Sequence, residues 1–186
     1  MCFRVNSSIF IFTFIFFFNI GFSQQINEKA MELIQKDSIA TAKTYVKKKI
    51  DSLVNTQSFD KIPQYIYPLG YILIINNPTT NLSEVLNYHS LILSQSSKSA
   101  KYQSYMALSQ LYNDQGEAAL AYRNASKANQ IAKDLNNKEL LLESTFYQSE
   151  YAMKNGNYKL LFKHTDDALD LIKLNPQKKY DLAPRV

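Results

Sequence analysis

The hydrophobic positions of this chain follow two regimes. From Ile9 to Ile20 they form an almost unbroken run of Ile and Phe. From Ile26 to about Val54 they recur on one face: Ile26, Ala30, Leu33 and Ile34, then Ala42, Val46, Ile50, Leu53 and Val54. That spacing, about 3.6 residues, predicts amphipathic helix. Asp37-Ser38 offers a cap in the middle, so the stretch is one long helix or two. Thr56 to Asp60 reads as a connection. Pro63 suits the first turn of a helix, whereas Pro68 and Gly70 predict an interruption. Tyr71-Ile72-Leu73-Ile74-Ile75 fits a buried strand or a buried helix; a lone strand would have no partner elsewhere, so helix is the expectation. Asn81 with Glu84 predicts a capping box ahead of the apolar face of Leu82, Val85, Leu86, His89, Ile92 and Leu93. Ser94 to Ser99 reads as a polar connection.

The second half carries an internal repeat. Gly116 and Gly156 stand 40 residues apart. At that shift Ala118, Ala121, Tyr122, Ala125, Ala128, Ile131 and Ala132 fall on Tyr158, Leu161, Phe162, Thr165, Ala168, Leu171 and Ile172; only Ala125 meets a polar residue. Each unit reads helix, tight turn, helix, with turns at Asn113-Asp114-Gln115-Gly116 and Lys154-Asn155-Gly156-Asn157. Such a pair cannot bury its apolar face alone and must stack on neighbours.

These residues resemble the tetratricopeptide repeat. Tyr105, Leu108, Ser109, Tyr112, Gly116, Ala121 and Ala128 stand at that family's spacings, with Ala125 in place of its second-helix aromatic. The later unit matches through Ser149, Gly156, Ala168 and Pro176, while Gln148 and Ala152 stand where Leu and Tyr are usual. The 40-residue period exceeds the family's length of about 34. The resemblance implies an all-α fold, a right-handed superhelical stack of antiparallel helix pairs. The expected organisation is a signal peptide at 1–23, a helical segment at 24–60, a degenerate pair at 61–99, repeats at 100–136 and 137–176, and the start of a further helix or tail at 177–186.

The signal peptide is read from the first regime. One charge, Arg4, precedes the apolar run, and Gly21-Phe22-Ser23 follows with small residues at its ends. The run is shorter than the ~20 residues of a spanning helix. Cleavage after Ser23 removes Cys2, the one cysteine, so thiol chemistry is not expected, and it removes eight of the 11 Phe while all 13 Tyr remain. It also takes Lys+Arg from 21 to 20 against 16 Asp+Glu, a mild net charge of +4. Lys47-Lys48-Lys49 reads as a solvated helix face rather than a nucleic-acid patch. No later stretch is long and apolar enough to span a membrane. The expected location is periplasmic or secreted.

Candidate chemistry is sparse. The chain has two His, and no Gly-rich phosphate loop or nucleophile–base spacing is present. His89 falls on an apolar face and reads as a packing residue. His164 with Asp167 supplies one metal edge with no further His to complete it. No cofactor or metal and no enzymatic activity is expected.

In tetratricopeptide arrays the first helices line a groove that holds a partner peptide or helix. By resemblance the groove positions are Gln103, Met106, Gln110 and Asn113 in one unit, and Glu143, Phe146, Glu150 and Met153 in the next. Met and Phe offer adaptable apolar contact, and the amides offer hydrogen bonds to a partner's backbone. The Lys, Asn and Arg clamp for an acidic C-terminal tail is missing, and Glu143 and Glu150 oppose such a tail. The expected function is an interaction scaffold for a protein or peptide partner, with no nucleic acid. The alternative comes from exported arrays that form the N-terminal sensor portion of bacterial histidine kinases or related regulators. Residues 180–186 read as the start of a further first helix. The expectation is therefore a fragment, a truncated paralogue, or an array whose uncapped C-terminal end is covered by a partner or by self-association.

The first prediction concerns processing. Immunoblotting of soluble and membrane fractions, with N-terminal sequencing, should find a soluble band below 21.4 kDa that begins at Gln24. A much larger membrane-bound product would instead support the sensor reading.

Overall fold

The computed structural model describes residues 27–36 and 38–173. The expected signal peptide and the 177–186 segment lie outside the described residues. Among these residues the chain is all-helical: α1 (Glu28–Gln35), α2 (Ile39–Asn55), α3 (Pro63–Asn76), α4 (Ser83–Gln95), α5 (Lys98–Asp114), α6 (Ala118–Asp134), α7 (Lys138–Lys154) and α8 (Tyr158–Lys173), with a 3₁₀ turn at Phe59–Lys61. Consecutive helices pack on one another, most closely from α5 to α8, and α3 also lies against α5. The helix bounds of α5 and α6 recur 40 residues later in α7 and α8, apart from the last residue of α8.

One chain reversal is used repeatedly. At the end of α5 the Gly116 N–H donates to the Asn113 carbonyl at 2.9 Å and the Glu117 N–H to the Tyr112 carbonyl at 2.8 Å. Gly156 and Asn157 repeat this on Met153 and Ala152. The reversal needs a left-handed residue, which glycine supplies without a Cβ clash; Gly116 has φ 78° and Gly156 φ 69°. Asn136 closes α6 and Gln57 closes α2 with φ 49° and 53°. Their neighbouring N–H groups turn back onto the last helical turn in the same way. The next helix opens on a polar cap: Asn137 Oδ1 accepts from Glu139 and Leu140, and Asn157 Oδ1 from Leu160.

The structure corrects three local expectations. Pro68 and Gly70 do not interrupt α3. A proline inside a helix strands the carbonyl four residues earlier, here that of Gln64, and the Asn27 N–H donates to it at 3.0 Å. Asn27 also caps α1 through the Ala30 N–H and donates from Nδ2 to the Tyr65 hydroxyl. The helix is buried nearly all round, from Pro63 through Ile74, and that burial outweighs the β-propensity of its Ile and Tyr residues. The Asn81–Glu84 capping box does not form: α4 opens at Ser83 with Leu82 in the cap position. Glu84 instead pairs with Lys47 of α2 at 2.8 Å. The Ser94–Ser99 connection shrinks to Ser96 and Ser97, because α4 continues to Gln95 and the Ser97 hydroxyl caps α5. Between α1 and α2 the chain breaks, giving two helices rather than one.

Two apolar clusters meet on α5. Ala100, Ala107, Leu108 and Leu111 join the cluster built from α1 to α4. Tyr102 and Met106 join the one built from Ala121, Ala125, Ala128 and Ala132 of α6 and Leu140, Tyr147 and Tyr151 of α7. The alanine face lets α6 approach its neighbours closely. Across α6 and α7, Asn129 donates to Ser144 and Thr145, and Gln148 donates to Ser126, so these buried polar groups are paired.

Gly70 marks the closest approach of α3 and α5, where an added Cβ would overlap the fully buried Leu111 side chain. Gly70→Ala should destabilise by about 1–3 kcal/mol through overpacking, and Leu111→Ala by about 2–5 kcal/mol through the cavity it leaves. The double variant should lose less than the sum, because the new methyl enters that cavity. Urea unfolding of the four proteins measures the coupling and its sign.

Candidate functional site

The first helices of the successive pairs, α3, α5 and α7, stand side by side and are linked through side chains. Tyr67 of α3 donates to Asp114 Oδ2 of α5 at 3.0 Å. Tyr102 of α5 donates to the Leu140 carbonyl at 3.0 Å and to Glu143 Oε2 at 2.9 Å on α7. Gln110 donates to the Tyr147 hydroxyl at 3.0 Å. Lys154 donates to Asn113 at 2.8 Å and pairs with Glu150 at 2.8 Å.

This places the residues singled out from the sequence. Gln110, Asn113, Glu143 and Glu150 come together in one polar seam between α5 and α7. Gln103 lies half-buried on α5. Met106 is different: it is 0% exposed and packs in the core with the α6 alanines, so no partner can touch its side chain. Phe146 is half-buried beside the Tyr147 ring, edge-on at 6.4 Å. Met153 is 49% exposed at the end of α7.

Sequence reading missed the contribution of α3 and the tyrosines. Tyr67 stacks on Tyr71 at 5.6 Å, and Tyr147 lies 5.7 Å from Tyr151. Tyrosine at helical spacing signals core, and Tyr102 and Tyr151 are indeed about 1% exposed. What spacing could not supply is where each hydroxyl goes. The available signal was that all 13 Tyr lie after residue 23, where only three Phe stand: a buried phenol favours a hydrogen-bond partner and a phenylalanine does not.

The electrostatics of this face centre on Asp114. Burial pushes its carboxyl up to about 6, with the Tyr67 hydrogen bond and the Lys154 charge pulling the other way. The residue as a whole is exposed, so the rise reflects protein atoms gathered about the carboxyl rather than enclosure of the residue. Burial, then Asp114, hold the Tyr67 phenol well above its ordinary range. Near neutrality the face presents neutral phenols and amides, a lysine and carboxylates. That set can donate to and accept from a peptide backbone and offer aromatic edges.

The two histidines have structural partners. His89 Nδ1 lies 2.7 Å from Ser104 Oγ, and its ring meets Tyr105 edge-on at 4.7 Å. A hydroxyl beside an imidazole suggests a nucleophile–base pair, but Ser104 is 0% exposed and His89 only 7%, so substrate has no approach. His164 Nε2 lies 2.9 Å from the Tyr122 hydroxyl, and its Nδ1 is 3.7 Å from Asp167. Among the described residues no group of three or more His, Cys, Asp or Glu could hold a metal ion. Nor is any described helix long and apolar enough to cross a membrane. An open depression between α2 and α4, lined by Asp51, Val54, Asn55, Asn87, Tyr88 and Leu91, lies apart from the α5–α7 seam. No protein-family model, curated protein or solved structure matches the chain.

Burial, aided by the Lys127 charge, lowers His89 from 6.5 to about 4. The unfolded chain therefore binds more protons at this residue between those values, and its contribution to stability falls as pH drops from 6.5 towards 4. Asp114, raised in the folded state, acts in the opposite direction as pH falls through about 6. The clean measurement is a difference. The stability of wild type minus that of His89→Gln, from urea unfolding, should be constant above about pH 6.5 and decline below it.

Proposed function

We propose that the chain is an exported, tetratricopeptide-like interaction module without enzymatic activity, binding a partner peptide or helix along α3, α5 and α7. The observation that carries the reading is the alignment of Gln110, Asn113, Glu143 and Glu150 between two helices related by a 40-residue repeat. Repeat units of this kind use such a face for binding because neighbouring units already cover their other faces. The seam is polar, with Tyr, Met and Phe interspersed, a composition suited to interfaces that form and separate. The hydrogen bonds within it keep the long side chains ordered before a partner arrives, which lowers the entropy lost on binding.

Met153 and Phe146 would supply the apolar contacts at one end of the seam, and Gln103 a polar contact at the other. Met106 has no part in binding and acts by holding α5 against α6. Export follows from the reading of residues 1–23 and is part of the proposal.

Site-specific photo-cross-linking in cells tests this reading. A cross-linker at Met153 should capture a discrete protein partner, and one at the exposed Lys48 of α2 should not. Phe146→Ala combined with Met153→Ala should reduce capture by about tenfold or more while leaving far-UV circular dichroism unchanged. Equal capture from both positions, or full capture by the double variant, would overturn the assignment of this face.

A further inference from the structure

The charges on the first helices are sorted by side. Lys98 and Lys101 of α5 stand seven and four residues before Tyr105, so they share its side of the helix. That side faces the second helices: the Tyr105 ring meets His89 of α4 edge-on at 4.7 Å and lies 5.2 Å beneath the Lys127 amine of α6. Lys138 of α7 stands seven residues before Thr145, whose hydroxyl accepts from Asn129 of α6 at 2.9 Å. It too is turned away from the α5–α7 seam. α3 carries no charged residue. On α7, Glu139, Glu143, Phe146, Glu150 and Met153 step by four, three, four and three residues, which makes them one stripe of the helix. The charged residues left on the seam side of α5 and α7 are therefore Asp114, Glu139, Glu143, Glu150 and Lys154, four carboxylates against one amine.

This sign is opposite to that of the chain. Beyond residue 23 the sequence holds 20 Lys and Arg against 16 Asp and Glu. The cations in excess sit on second helices: four lysines against one aspartate on α2, and Arg123, Lys127 and Lys133 against Asp134 on α6. The hydrogen bonds of the seam leave its sign in place. Tyr102 serves Glu143 Oε2 with a neutral phenol, and Tyr67 does the same for Asp114. The one amine, Lys154, is shared between Glu150 and Asn113. A segment lying along the stripe meets a carboxylate on either side of an aromatic ring. Glu143 and Glu150 stand seven residues apart, about 10 Å along the helix axis, with Phe146 between them.

We propose that the seam selects a cationic helical segment. The partner helix sets two Lys or Arg side chains about 10 Å apart against Glu143 and Glu150, and places an apolar residue between them on Phe146. Positions i and i+7 of a helix have that spacing, and i+3 or i+4 falls between them on the same side. Phe146 and Met153 supply apolar contact, and the carboxylates supply selection, because an acidic segment meets like charge along the whole stripe. The proposal rests on the assignment of this face to partner binding and names the chemistry of the partner.

Fluorescence anisotropy with the full chain as its cells process it, and with three labelled synthetic helical peptides, tests the selection. The peptides share one apolar stripe and carry Lys, Gln or Glu at both the i and i+7 positions. The Lys peptide should bind at least about tenfold tighter than the Gln peptide, and the Glu peptide should bind weakest. The Lys advantage should shrink between about 50 mM and about 500 mM salt. Glu143→Gln with Glu150→Gln should abolish it, while the glutamine amide oxygen still accepts from Tyr102. Phe146→Ala with Met153→Ala should weaken all three peptides alike. Equal binding of the three peptides, or a Lys advantage that survives the double Gln variant, would overturn the charge selection; the face itself stands if the Phe146 and Met153 variant still weakens them. Binding indifferent to that variant would overturn the face. A Lys peptide that fails to bind at about 1 mM would overturn the selection, and capture at Met153 then decides the face.

Discussion

The fold depends on α5 being buried from two sides at once. One side, through Ala107, Leu108 and Leu111, meets α3 and the N-terminal helices, and the other, through Tyr102 and Met106, meets α6 and α7. A helix in that position has no room for a solvated apolar-to-polar gradient. Its fully buried polar residues are small and each has a partner. Ser104 bonds His89, and Ser109 bonds the Met106 carbonyl in its own helix. Its closest neighbour must yield at one point, and Gly70 does so where Leu111 enters. Asn27 then permits Pro68 to sit two residues away by accepting the role of the missing donor. These features belong to one constraint: two clusters share a single helix, and each neighbour is shaped to let it through.

The same constraint produces the candidate binding face. With α5 filled on its flanks, the side chains left between α3, α5 and α7 are the tips of long residues: the phenols of Tyr67 and Tyr147, the amides of Gln110 and Asn113, the carboxylates of Asp114, Glu143 and Glu150, and the Lys154 amine. They pair with one another because each would otherwise be partly desolvated without a partner. A face so ordered offers donors and acceptors in fixed places, the property on which the proposed recognition of a partner backbone rests.

The contrast between α6 and α8 shows how context alters the meaning of one pattern. Their apolar positions overlay at a 40-residue shift, yet small residues dominate α6 and large ones α8. Alanine suits a helix enclosed by two neighbours, where close approach gives the packing. Tyr158, Phe162 and Leu169 stand on the outer side of α8 and are exposed. The size difference separates a helix enclosed by two neighbours from one whose outer side is exposed.

The sequence by itself determined the helical class, the turns at Gly116 and Gly156 and the 40-residue relation, because hydrophobic period and left-handed glycines are local properties of a chain. It also placed Gln110, Asn113, Glu143 and Glu150 on first helices through a family resemblance. It could not place Met106, which shares their helix and approximate side yet is core; a few tens of degrees of helix rotation decide that, and packing sets the rotation. Nor could it see α3 as one helix, since the group that satisfies the Gln64 carbonyl comes from Asn27, far along the chain. The Asn81–Glu84 box failed for a related reason: Glu84 found Lys47 on another helix. Local pattern fixes which elements form. Only tertiary structure decides which side chains meet, because hydrogen bonds and close packing act between residues whose separation in sequence carries no signal of their distance in space.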